Sequence, residues 1–101
     1  MNINVTVGDL LVWNQDNTRS YPVRINDIGT LSFNRANSVK IFKNDVIIVE
    51  KIVDTNSGSR PRTIGSRNCL YNSDNDAIVL CRHIRTGTVH VLYESDAVKC
   101  E

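Results

Sequence analysis

Neither sign of charge prevails in this 101-residue chain: 12 Lys and Arg stand against 11 Asp and Glu, a formal net charge of +1. That balance argues against a strongly basic nucleic-acid coat and against an acidic nucleic-acid mimic. No apolar run approaches the roughly 20 residues of a membrane-spanning helix, so no membrane partner is expected. Met1-Asn2-Ile3-Asn4-Val5 has no basic stretch leading into an apolar one, so no export signal is expected. Three cysteines are an odd number, and no two form a Cys-x-x-Cys pair. They read as reduced thiols in a cytoplasmic protein. Walker loop, dinucleotide fingerprint and Gly-x-Ser-x-Gly elbow are all missing, so no enzyme class is indicated. A helical period is missing too: no window sustains apolar residues at i, i+3, i+4 and i+7 over three turns.

What the chain does have is apolar residues in short runs bounded by turn residues. Hydrophobic residues make up 41% of the chain, enough for one modest core in a single domain over 1–101. Val5-Thr6-Val7, Leu10 to Trp13, Val23 with Ile25, Leu31 with Phe33, Val39 with Ile41, Val46 to Val53, Ile78 to Leu80, and Val89 to Tyr93 all read as strands. The expectation is an all-β domain of about five to seven short antiparallel strands. Glu94-Ser95-Asp96-Ala97 is the best helical candidate, a single turn. Asn44-Asp45 predicts a tight hairpin, because Asn and Asp tolerate positive φ. Ile28-Gly29-Thr30 predicts the turn between the Val23 and Leu31 strands.

Thr86-Gly87 is the best hairpin signal, and two registers compete for it. A two-residue loop pairs Ile84 with Val89 and Leu80 with Tyr93. It gathers Ile78, Leu80, Arg82, Ile84, Val89, Val91 and Tyr93 on one face, and Cys81, His83, Arg85 and His90 on the other. A three-residue loop, Arg85-Thr86-Gly87, pairs Ile84 with Thr88 and puts Gly at a left-handed position. Burial favours the first.

Gly8-Asp9-Leu10-Leu11-Val12 resembles the opening of SH3-like and KOW-like small barrels, where a Gly-Asp pair enters the first strand. The Ile78–Tyr93 hairpin, the short Glu94–Ala97 turn and Val98-Lys99-Cys100 are similar to the end of that architecture. The resemblance covers about half the chain and implies a small barrel or roll. It implies no ligand, since the aromatic cluster of proline-binding SH3 domains is not evident and one fold hosts many functions.

Cys81, His83 and His90 share one face of the expected hairpin, with Cys69 and Cys100 as further sulfur donors. The spacing fits no common zinc module, so no metal and no cofactor is expected. A Cys-His nucleophile pair lacks a recognisable orienting group, so no catalytic residue is assigned. The thiols read as small buried hydrophobes and the imidazoles as surface residues. Trp13 reads as a core anchor, and Tyr21, before Pro22, as exposed.

Charge placement says more than net charge. Arg60, Arg62 and Arg67 share the long polar stretch 54–68, which is expected to be a mobile loop. Arg24, Arg35, Lys40 and Lys43 outweigh Asp27 in the segment before Asp45. Guanidinium groups grip phosphate bidentately, so these seven residues are the candidate binding set. The expected function is a non-enzymatic module that contacts nucleic acid, or a nucleic-acid-associated protein, chiefly through the Arg60–Arg67 loop. The alternative is a protein–protein adaptor or inhibitor, of the bacterial or phage accessory type, that meets an acidic protein surface through a strand edge and the same loop.

Overall fold

Short β-branched runs offer no helical face to bury, and in the computed structural model they form strands. The structure describes residues 2–16, 18–25, 31–53, 63–64, 67–72, 77–96 and 99–100. In chain order the strands are β1 (Asn2–Ile3), β2 (Leu10–Val12), β3 (Thr18–Ser20), β4 (Val23–Ile25), β5 (Leu31–Phe33), β6 (Val39–Ile41), β7 (Val46–Val53), β8 (Thr63–Ile64), β9 (Arg67–Asn68), β10 (Tyr71–Asn72), β11 (Ile78–His83), β12 (Thr88–Val91) and β13 (Lys99–Cys100). A single 3₁₀ turn, Glu94–Asp96, falls where the helical candidate lay. The protein is all-β, with more and shorter strands than the five to seven expected.

The main sheet runs β1-β10-β11-β7-β2-β13, with β12 also paired to β11. Its pairs are antiparallel except β1 with β10. β11 is buried on both faces, which is why Ile78 to Cys81 show no polar alternation. On one face Val79 and Cys81 join Leu11, Trp13, Ile41, Ile47 and Leu92. On the other, Ile78 and Leu80 join Val23, Val53, Val91 and Tyr93. Glu50 is the extra residue of a bulge in β7, since Leu80 pairs with Lys51 and Cys81 with Val49. The bulge re-phases the strand, so Ile47, Val49 and Ile52 all serve the first core although their numbering does not alternate.

Two expected hairpins are corrected. The pairs Leu80–Val91 and His83–Thr88 leave a four-residue loop, Ile84 to Gly87, so neither candidate register occurs. The division of residues between the faces is that of the two-residue loop, because the slip is two positions and a slip of two preserves sidedness. Gly87, at φ 73°, closes the loop by donating its N–H to the His83 carbonyl at 2.7 Å. Asn44 does adopt positive φ, at 74°. Yet β6 and β7 do not pair with each other, so Asn44-Asp45 makes a corner between sheets rather than a hairpin. Trp13 pins that corner, donating its N–H to the Asp45 carbonyl at 2.9 Å and accepting from Asn44 N–H at 2.8 Å.

β3, β4, β5 and β6 form one long bent arm. Thr18 pairs with Ile41 and Ser20 with Val39, then Val23 with Phe33 and Ile25 with Leu31. Between these two ladders Tyr21-Pro22 faces the five residues Asn34 to Ser38, so the strands change register by three. The first half of the arm packs on the first core through Ile41 and Val39. The second half packs on the other through Val23, Ile25, Leu31 and Phe33. The predicted turn at Ile28-Gly29-Thr30 lies outside the described residues, as do 54–62, 65 and 66 of the expected mobile loop.

Ile47 is fully buried, whereas its neighbour Val46 is 43% exposed. Ile47→Ala is expected to cost about 2–4 kcal/mol in urea unfolding, and Val46→Ala no more than about 0.5 kcal/mol. Equal losses would mean that β7 sits one residue out of this register.

Candidate functional site

In the described part of the arm, 18–25 and 31–43, five side chains are cationic and none is acidic: Arg19, Arg24, Arg35, Lys40 and Lys43. The β3–β6 register sets Arg19 directly opposite Lys40. Such a pair repels in isolation and favours an anion above it. Arg19 also donates to the Ser38 hydroxyl at 3.2 Å. Two exposed rings lie among these charges. The Arg35 guanidinium carbon is 5.5 Å from the centre of Tyr21 and 5.7 Å from that of Phe33. Lys40 Nζ is 5.3 Å from the centre of Phe42, and the Arg85 guanidinium carbon 5.1 Å. Cations at these distances are drawn to the negative ring face. On the outer side of β4 and β5, Pro22, Arg24, Ser32 and Asn34 border a groove of about 280 Å³.

A line of hydrogen bonds anchors the arm. Asp45 Oδ2 accepts from the Phe42 N–H at 3.0 Å, from His83 Nε2 at 2.8 Å and from Arg85 at 3.2 Å. Burial alone would raise the Asp45 pKa, but these three donors together hold it below 3.8. His83 Nδ1 meets the Thr86 hydroxyl at 2.7 Å, Thr86 meets Thr88 at 2.7 Å, and Thr88 meets His90 Nε2 at 2.7 Å. His90 Nδ1 then reaches the Ser20 hydroxyl on β3 at 3.0 Å. Both imidazoles are fully buried, which corrects their reading as surface residues. Burial, with His83 beside it, pushes the His90 pKa down to about 4, against the Tyr21 backbone, which favours the charged form.

The proton positions along this line are coupled. With His83 neutral, its Nε2–H donates to Asp45 and its Nδ1 accepts from Thr86. Thr86 then accepts from Thr88, Thr88 from His90 Nε2–H, and His90 Nδ1 from Ser20. With His83 protonated every donor beyond it reverses, and neutral His90 carries its proton on Nδ1.

Five of the seven expected binding residues are among the described residues. Arg24, Arg35, Lys40 and Lys43 lie on the arm. Arg60 and Arg62 lie outside the described residues. Arg67, expected beside them as a free cation, is held within the fold. It donates to the Ser95 hydroxyl and to Asp96 Oδ1, both at 2.9 Å, and its guanidinium stacks 3.9 Å from the centre of Tyr93. The reason is Asp96, a fully buried carboxylate that needs a cation. Burial raises the Asp96 pKa, although the Tyr93 backbone N–H and Arg67 pull it down. Sequence reasoning passed over Arg19 and Phe42 and counted Arg85 as basic without placing it in the binding set; their grouping appears only once Thr18 is paired with Ile41 and Arg85 is folded back on Asp45.

Cys81 Sγ contacts the His90 carbonyl at 3.6 Å rather than either imidazole, and burial raises its pKa well above that of a free thiol. Burial likewise lifts Cys69 to about 11. Both thiols stay protonated, and a protonated thiol is a poor nucleophile. Among the described residues no three His, Cys, Asp or Glu side chains are grouped so as to hold a metal, and no helix is long and apolar enough to cross a membrane. No family model, no curated protein and no solved structure matches the chain.

Two measurements test the anchor. The unfolded chain protonates His90 near 6.5 and the fold only at about 4. Between those values the unfolded state binds more protons, so stability falls as pH drops through that window, by roughly 3 kcal/mol at most. Asp96, with its raised pKa, works in the opposite sense, and Asp45 adds a loss below 3.8. Urea unfolding from pH 7.5 to 4.5 is expected to show this loss in the native protein and a flatter profile in His90→Asn. In long-range ¹H–¹⁵N spectra, neutral His90 is expected to keep its proton on a single ring nitrogen, since Thr88 and Ser20 hold the two nitrogens in fixed roles. Averaging between the two His90 tautomers would mean the line is broken.

Proposed function

We propose that the protein is a non-enzymatic binding module whose arm contacts nucleic acid. One observation carries this reading: five cations and no acid occupy the described part of the arm, with the exposed rings of Tyr21 and Phe42 set among them. Phosphate is recognised by cations arranged along a track, and an unpaired base by an open aromatic face. A net charge of +1 does not oppose this, because the field is local to the arm. Arg24, Arg35, Lys40 and Lys43 are the proposed phosphate contacts, and Arg19 joins them. Arg67 is left out, since its guanidinium neutralises Asp96. An acidic protein surface is the second reading, favoured by the groove beside Arg24, which suits a carboxylate as well as a phosphate.

Affinity for a labelled oligonucleotide across a salt series separates these readings. Each lost phosphate contact lowers the slope of log affinity against log salt by about 0.7 on a single strand and 0.9 on a duplex. The triple variant Arg24→Ala, Arg35→Ala, Lys40→Ala is expected to flatten the slope by about two on a single strand. Arg67→Ala is expected to leave the slope unchanged and to lower stability instead, through unpaired Asp96. Absence of binding by the native protein at low salt would overturn the nucleic-acid reading and leave the acidic-protein one.

A further inference from the structure

The outer side of the arm is laid out in rows between Phe42 and Tyr21. In the β3–β6 ladder Thr18 stands opposite Ile41 and Ser20 opposite Val39, and these four face inward. Ile41 and Val39 pack on the first core, Ser20 meets His90, and Thr18 accepts from the Trp13 indole. Strand residues alternate, so Arg19 and Lys40, directly opposite each other, face outward. Tyr21 lies two positions beyond Arg19, and Phe42 two beyond Lys40 in the opposite direction, so a ring flanks the two cations on either side. All four residues are exposed. The two ring-bearing positions are about 13 Å apart along the ladder, with the cations midway. Asp16 precedes β3 and Asp45 follows β6, so neither acid lies between the rings, and Asp45 is held by His83 and Arg85.

The rings are open. Where a guanidinium covers a ring, as Arg67 covers Tyr93, its carbon is 3.9 Å from the ring centre and the tyrosine is buried. Arg35 stands farther off, 5.5 Å from Tyr21, and Lys40 and Arg85 stand 5.3 and 5.1 Å from Phe42. Tyr21 stays 40% exposed and Phe42 42%. Both positions are also fixed from below. Asp45, at one end of the imidazole line, accepts from the Phe42 N–H, and His90, at the other, reaches Ser20, the residue before Tyr21. The spacing of the rings is therefore set before a partner arrives, which lowers the ordering cost of binding.

We infer that the nucleic acid this arm takes is single-stranded, with one base on Tyr21, another on Phe42, and the phosphates between them on Arg19 and Lys40. The inference rests on the nucleic-acid reading above and specifies its substrate. Two features select a single strand. A base offers its flat face to a ring when it is unstacked, whereas a duplex shows only base edges in its grooves. Aromatic rings set along a track of cations are the arrangement that holds single strands irrespective of sequence. A two-stranded ribbon can also enter the major groove of a duplex, but it reads base edges there chiefly by hydrogen bonds, which the Phe42 side chain cannot make.

Fluorescence anisotropy of the full chain with labelled strands of about 12 nucleotides tests this. The probes are a single strand of mixed sequence as DNA and as RNA, the DNA duplex, and a strand stripped of its bases on the backbone that binds better. At low salt the native protein is expected to bind the better single strand at least about tenfold more tightly than the duplex or the abasic strand. Tyr21→Ala and Phe42→Ala are each expected to lose about tenfold on that single strand and nothing on the abasic one. Tyr21→Trp, which keeps a ring, is expected to retain native affinity. Circular dichroism checks that the variants keep the native spectrum, and two rings guard against loss of one to misfolding. A duplex bound as tightly as the single strand overturns the inference and leaves the nucleic-acid reading standing. So do folded Tyr21→Ala and Phe42→Ala variants that lose nothing, or lose as much on the abasic strand. Absence of binding to every probe at low salt overturns both.

Discussion

The arm is held in place by two imidazoles that never meet water. Asp45, at the corner between β6 and β7, orients His83. Two threonine hydroxyls carry the connection across the 84–87 loop, and His90 delivers it to Ser20 on β3. The arm packs on both cores through apolar side chains, and this polar line adds direction to that packing. A fully satisfied polar line is directional where apolar packing is not, and an incomplete one costs more than it contributes. Every ring nitrogen has a partner, and this is what lets two histidines lie in the core. The cations of the arm face solvent because its other side is fastened in this way.

The two cores follow from the same economy of strands. β11 buries both of its faces from Ile78 to Cys81, so four consecutive residues do the work that two half-buried strands would do elsewhere. The bent arm supplies cover for both, Ile41 on one side and Val23 on the other. Arg67 closes the end of the second core by lying on Tyr93 and neutralising Asp96. A cation that looked available for a partner is therefore part of the wall of the protein.

Strand existence was legible in the sequence because runs such as Val46 to Val49 and Val89 to Tyr93 carry the right residue types at the right length. Pairing was less so. The Ile78–Tyr93 hairpin kept its expected faces but not its register, since Gly87 closes a four-residue loop as readily as a shorter one. Asn44 was rightly read as a positive-φ residue, yet a local dihedral does not say whether the strands it joins will pair. The basic character of Arg24, Arg35, Lys40 and Lys43 was visible directly. The position of Phe42 between Lys40 and Arg85, and the burial of His83 and His90, were not. Each depends on a contact spanning roughly forty to seventy residues of chain, a separation that composition and periodicity do not report.

The five residues from Asn34 to Ser38 stand opposite only Tyr21 and Pro22, and each half of the arm keeps its own ladder on either side of them. Neither ladder sets the length of this segment. Residues could be added or removed there without turning any core side chain outward, since both registers are fixed elsewhere. What would change is the reach of Arg35 and its position over Tyr21. The arm thus contains an adjustable joint, at which a lineage or a designer could vary the spacing of the charges while the two cores stay as they are.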